Sequence, residues 1–162
     1  MALLKTLIFT ILVPGTVTIL IPRWLLSAEA ARPINALRFI GVIPIAIGAA
    51  IYFWCAWDFA TKGQGTPAPI DPPKELVVRG LYRFVRNPMY VGVLSILIGE
   101  AALFASSALF GYAAVVFLLF YLFVVLYEEP VLGKQFGDAY RNYCAAVPRW
   151  IPRLNNPVER SA

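Results

Sequence analysis

The sequence predicts an all-α integral membrane protein with about four transmembrane helices, and three observations carry that reading. The 162 residues are 60% hydrophobic and only 14% charged, a balance foreign to a soluble domain of this size. Four apolar stretches approach the roughly 20 residues a helix needs to cross a bilayer. Lysine and arginine are concentrated on the segments that four spans would leave on one side of the membrane. Residues 1–162 read as a single membrane domain, too short to carry a separate soluble unit.

The first apolar stretch, residues 3–20, is interrupted by Pro14-Gly15, where a kink is expected. Lys5, the apolar core and Ala28-Glu29-Ala30 also have the layout of a signal peptide. The length of the stretch and its two prolines favour a retained span. The second stretch covers residues 36–59 and contains Pro44. The third, residues 89–104, is shorter and contains Glu100. The fourth covers residues 109–127. Only Ala105-Ser106-Ser107-Ala108 separates the last two, so an antiparallel hairpin is expected.

Four spans place the N-terminus, the 60–88 loop and the C-terminal tail together. That side holds Lys5, Lys62, Lys74, Arg79, Arg83, Arg86, Lys134, Arg141, Arg149, Arg153 and Arg160, against Arg23, Arg32 and Arg38 opposite. Both termini are therefore expected in the cytoplasm. The net charge of +5 belongs to this topology and to anionic headgroups, and no nucleic-acid partner is expected.

The 60–88 loop is rich in glycine and proline, yet Leu76-Val77-Val78, Tyr82 and Phe84 are too apolar for a flexible linker. An ordered loop of this length commonly carries function. After Pro130, apolar residues recur at helical spacing with Lys134, Asp138 and Arg141 between them. Residues 131–153 thus read as an amphipathic interfacial helix and tail.

The chain has no histidine, which removes serine–histidine hydrolysis, HExxH zinc chemistry and histidine base catalysis. Cys55 and Cys144 have neither metal-ligand nor disulfide spacing, and no metal is expected. The unusual polar groups converge at one membrane face: Asp58 ends the second span, Asn87-Pro88 begins the third, and Glu128-Glu129 closes the fourth. A carboxylate costs about 2.5–3.5 kcal/mol at the bilayer centre and less toward the interface. A glutamate pair at a helix C-terminus also opposes the helix dipole. Such a pair is better explained by a ligand bearing positive charge than by lipid.

The ordered combination of motifs resembles the isoprenylcysteine carboxyl methyltransferase family. It comprises Gly65-Thr66-Pro67, then residues 76–83, Arg86-Asn87-Pro88-Met89-Tyr90-Val91-Gly92, Tyr127-Glu128-Glu129-Pro130, residues 136–143 and Val147-Pro148-Arg149-Trp150-Ile151-Pro152. The phospholipid N-methyltransferases are similar around the Asn-Pro and Glu-Glu motifs. The resemblance covers residues 58–152 and implies transfer of a methyl group from S-adenosylmethionine to a lipophilic or lipid acceptor. It implies that Lys74, Glu75, Leu76, Val77, Tyr82, Asn87, Pro88, Met89, Tyr90 and Glu128 hold the cofactor. Carboxylates suit its cations and hydroxyls, and an aromatic face suits its sulfonium. Glu129 and Arg86 are the candidate catalytic residues, with Glu129 the base if the acceptor arrives protonated. Alignment of nucleophile and methyl, with exclusion of water, would supply most of the acceleration.

Two positions depart from the carboxyl methyltransferases, which carry histidine at Asn87 and arginine at Val124. An amine, thiol, hydroxyl or phospholipid headgroup is then as suitable an acceptor as a carboxylate. Other residues have plainer readings. Arg83 and Arg86 can anchor to headgroups, and Trp150 reads as an interfacial anchor. Arg38 and Glu100 are expected to pair, both lying toward the opposite face. The alternative enzyme is an NADPH-dependent membrane reductase of the sterol type, which the acidic pair disfavours because NADPH needs cations. A non-enzymatic small membrane protein leaves the loop unexplained.

Overall fold

In the computed structural model the described residues are 8, 10–28, 36–62, 76 and 78–153, and all regular structure among them is helical. The first helix, Thr10–Ser27, contains a π-helical turn at Thr16–Leu20 that leads into α1, Ile21–Ser27. The turn directly precedes Pro22, whose ring would strike the Thr18 carbonyl in a regular α-helix. Widening to i→i+5 spacing clears that contact. A 3₁₀ turn, Ala36–Gly41, opens α2, Val42–Lys62. Pro44 falls in the first turn of α2, where its missing N–H has no helical partner to lose, and the helix continues through it.

Helix α3, Pro88–Phe104, begins with proline at its first position, preceded by Asn87 in a non-helical conformation. It ends at Ala105, which adopts a left-handed conformation. Ser106 then caps α4, Ser107–Phe123, accepting a hydrogen bond from the Leu109 amide at 3.1 Å. A second π turn, Val124–Glu128, connects α4 to α5, Glu129–Ala146. Here too a proline follows: Pro130 would meet the Leu126 carbonyl without the wider turn. Gly137 interrupts α5 at a φ of 54°.

Three helices are long and apolar enough to cross a membrane: Thr10–Ser27, Arg38–Asp58 and the continuous Ser107–Ala146. Helix α3 is apolar but has 17 residues. At about 25 Å it stands at the short end of what spans a hydrocarbon core.

The most extensive helix contact joins α2 to α3 and depends on glycine. Gly41 and Gly48 are seven residues apart, as are Gly92 and Gly99. A Cβ at Gly48 would lie 2.4 Å from the Gly92 carbonyl oxygen, and one at Gly99 would lie 2.5 Å from that of Gly41. The two backbones therefore touch directly, as small residues permit between membrane helices. We expect Gly48→Ala to force the helices apart and reduce stability by about 2 kcal/mol, the usual scale for overpacking. Gly111→Ala, where a Cβ meets nothing within 4 Å, is the control that should retain the wild-type melting temperature.

Tyr52, Ala56, Val93, Leu97, Ala113 and Val116 form the core where α2, α3 and α4 meet. A second cluster joins Tyr140, Tyr143 and Val147 with Leu76, Val78, Leu132 and Phe136. The apolar face of α5 thus packs on the end of the loop, which explains why Leu76 and Val78 are too apolar for a linker.

The expected Arg38–Glu100 ion pair does not form. Gly41 faces Gly99 and Leu103, and this register carries Arg38 past Glu100 toward the end of α3. Glu100 instead lies within electrostatic reach of Tyr112, whose hydroxyl donates to the Val17 carbonyl at 3.0 Å.

Candidate functional site

The polar residues singled out by the sequence meet where the end of α2, the start of α3, the second π turn and the chain after α5 converge. The approach begins at Gly80, with a φ of 57° and a Cβ position only 2.8 Å from Asp58 Oδ2. Glycine is required there twice over, for the backbone conformation and for the closeness of the carboxylate. The 3₁₀ turn Gly80–Arg83 follows and sets Tyr82 inward. Burial pushes the Tyr82 phenol well above its ordinary pKa, and nearby Cys55, Glu128, Tyr143 and Tyr90 add to the effect. The Tyr143 hydroxyl of α5 donates to the Tyr82 carbonyl at 2.7 Å, tying the turn to the amphipathic helix.

The two adjacent glutamates have different surroundings. Tyr90, in the first turn of α3, donates its hydroxyl to Glu128 Oε2 at 3.2 Å. Glu129 receives three N–H bonds: Arg86 Nη1 at 2.9 Å and Arg149 Nε at 2.7 Å on Oε1, and Arg149 Nη2 at 2.9 Å on Oε2. The Arg149 pair is bidentate, the strongest form of this contact. Its hydrogen bonds to Glu129 hold the Arg149 guanidinium above its ordinary pKa. Consecutive residues of a helix project about 100° apart, so Glu128 and Glu129 reach different partners.

The chain after α5 is stitched over the site as a strap, residues 147–153. The Arg86 amide donates to the Pro148 carbonyl at 2.9 Å, Asn87 Nδ2 to the Arg149 carbonyl at 3.2 Å, and the Arg153 amide to the Phe84 carbonyl at 3.0 Å. Trp150 packs edge-on to Phe117, with ring centroids 5.4 Å apart, and lies 6.5 Å from Tyr90. Tyr90 in turn rests on Phe120 at 4.6 Å. Among the described residues of the site, two buried donors have no acceptor: Arg86 Nε and Trp150 Nε1. A buried polar group in this condition costs about 1–3 kcal/mol, so each calls for an explanation.

Of the candidate residues, Tyr82, Arg86, Asn87, Tyr90, Glu128 and Glu129 are brought together. Pro88 is buried at the start of α3, and Met89 packs against the helix core. Leu76 packs into the α5 cluster. Lys74, Glu75 and Val77 lie outside the described residues. Arg86 is not a headgroup anchor: its side chain is 14% exposed and bound to Glu129, with Nη1 also 3.0 Å from Cys144 Sγ. Trp150 is partly buried, with its ring on Phe117 and near Tyr90 and its Nε1 enclosed. The residues missed were Trp150, Gly80 and Tyr143. For Trp150 the available signal was its place directly after Arg149 in the terminal motif, but an arginine–tryptophan pair reads equally well as a membrane anchor.

A family profile for phospholipid methyltransferases matches residues 37–139, from the turn before α2 into α5. The chain belongs to the phospholipid methyltransferase family. The family match thus takes in Tyr82, Asn87, Tyr90 and both glutamates, and stops short of the strap. Individual relatives extend the comparison. The nickel-cobalt-cadmium resistance protein of Alcaligenes xylosoxydans xylosoxydans is 27% identical over 120 residues, 74% of this chain and 52% of that protein. The protein-S-isoprenylcysteine O-methyltransferase of Schizosaccharomyces pombe is 38% identical over 82 residues, 49% of this chain and 34% of its own. Methanethiol S-methyltransferase 2 of Bradyrhizobium diazoefficiens is 35% identical over 74 residues, 46% of this chain and 27% of its own. This family member spans about half or less of the length of each of these relatives. No solved structure matches it significantly.

Proposed function

We propose that the protein transfers a methyl group from S-adenosylmethionine to a lipophilic acceptor at the cytoplasmic face of the inner membrane, with both termini in the cytoplasm. The observation that carries this reading is the unequal treatment of the two glutamates. Among the described residues, Glu129 is matched by two guanidiniums, whereas Glu128 has a hydrogen bond only from a neutral phenol. The charge of Glu128 therefore remains available to a cation, and the cofactor carries two, a sulfonium and an ammonium. Bound there, the cofactor would supply an activated methyl carbon.

The residues of the chain then have distinct tasks. Glu128 and Tyr90 form the polar wall, and Tyr82 and Asn87 continue it. Arg86 and Glu129, expected from the sequence to act on the reacting groups, are assigned instead to holding the strap across the site. Arg86 Nη1 and Arg149 both donate to Glu129, which commits that carboxylate to the clasp. A lipophilic acceptor is supported by exposed Phe53, Trp54 and Trp57 near the Asp58 end of α2, and by exposed Leu126 and Tyr127 beside Glu128. These residues make the rim of the site apolar where lipid would meet it.

The test is calorimetric titration of the detergent-purified protein with S-adenosylhomocysteine and, separately, with NADPH. Saturable binding of S-adenosylhomocysteine alone is expected. Binding of NADPH alone would select the reductase reading, and binding of neither would remove the cofactor assignment. Incorporation of labelled methyl from S-adenosylmethionine into lipid extracts then identifies the acceptor.

A further inference from the structure

We propose that Trp150 is a cofactor-binding residue, and that with Arg86 it recognises the carboxylate of the cofactor's amino-acid end. This deepens the methyltransferase reading and rests on it. The starting point is two buried N–H groups of the site that have no acceptor among the described residues, Trp150 Nε1 and Arg86 Nε. Both belong to segments that the strap joins over the site. The Arg86 amide binds Pro148, two residues before Trp150, and the guanidinium shares Glu129 Oε1 with Arg149.

Charge gives these segments their chemical preference. Arg86 and Arg149 together carry two positive charges against the single carboxylate of Glu129, which leaves a net positive end. Glu128, in a hydrogen bond with Tyr90, makes a negative end. Tyr90 links the two, because its ring is 6.5 Å from that of Trp150. A negative group and a positive group with spare donors, side by side, match a zwitterion. The α-amino-acid end of S-adenosylmethionine is one: its ammonium suits Glu128, and its carboxylate suits the two donors.

The strap geometry explains why a tryptophan can do this. Asn87 Nδ2 and the Arg149–Glu129 clasp fix the backbone on its N-terminal side, and the Arg153 amide fixes it beyond. Packing against Phe117 then sets the indole plane. The profile match ends at residue 139, so Trp150 lies beyond it, within the terminal motif Val147–Pro152.

The test uses Trp150→Phe, which keeps an aromatic ring against Phe117 and Tyr90 and removes only the N–H. Its affinity is measured by titration with S-adenosylhomocysteine and with 5′-methylthioadenosine, which retains the nucleoside and sulfur but lacks the amino-acid end. We expect S-adenosylhomocysteine to bind about tenfold more weakly than to wild type, the scale of one hydrogen bond to a charged group, with methylthioadenosine unchanged. Arg86→Lys, which keeps the charge but removes Nε–H, should weaken the same ligand selectively. Equal loss for both ligands, or no loss for either, overturns the assignment. If wild-type protein binds neither ligand, the failure lies with the methyltransferase reading itself. A melting temperature equal to wild type separates the lost donor from a loosened strap, and a variant that melts early with no selectivity between ligands counts against the proposal.

Discussion

Replacing Glu128 by glutamine should weaken S-adenosylhomocysteine binding by about 10–100-fold and reduce methyl transfer at least as much, without lowering the melting temperature. The size follows from removing a charged acceptor from the ligand's ammonium, worth about 1.5–3 kcal/mol. Stability should be unaffected because Tyr90 Oη can still donate to the amide oxygen, so the 3.2 Å bond survives in altered form. Tyr90→Phe provides the graded companion. It leaves the carboxylate charged but removes its positioning hydroxyl, and should cost several-fold in affinity, with the stacking on Phe120 retained. Wild-type affinity in Glu128→Gln would remove the basis for the cofactor assignment, because a carboxylate without a cationic partner among the described residues is what distinguishes this site from an ordinary ion-paired helix end.

The neighbouring glutamate should behave differently. Glu129→Ala leaves two guanidiniums without their carboxylate, one of them on a side chain only 14% exposed and the other 30% exposed. Removing one partner of a fully buried ion pair costs about 3–5 kcal/mol, and the partial exposure here lowers the expectation to about 2–3 kcal/mol. That corresponds to a melting temperature lower by about 5–10 °C. The strap should loosen at the same time, so trypsin should cut at Arg149 and Arg153 faster than in wild type. Glu129→Gln tests the sequence-based expectation that this residue is a general base. As a base, it would lose turnover in the glutamine variant while melting and proteolysis stayed at wild-type values. As a clasp, it loses stability and strap protection together.

The two glutamates illustrate how far the sequence could be read. Glu128-Glu129-Pro130 stood out because adjacent carboxylates at the end of an apolar run are costly without a reason, and the reason was sought in a cationic ligand. The family resemblance assigned Glu128 to the cofactor, but how the two carboxylates divide their partners was not legible. That division depends on an arginine 20 residues downstream that folds back onto Glu129. A similar limit applied to Glu100 and Arg38. Their depths matched, but the register imposed by the glycine contacts between α2 and α3 separates them.

Helical class, membrane character, the apolar helices and the convergence of Asp58, Asn87-Pro88 and Glu128 on one face were all decided by local composition and spacing. Hydrophobic run length and proline placement act within a few residues, so they can be read along the chain. The closeness of α2 to α3, the distribution of partners between Glu128 and Glu129, and the packing of Trp150 on Phe117 were decided only by tertiary structure. Each depends on contacts between residues far apart in the chain, and their geometry follows from packing that no local pattern records.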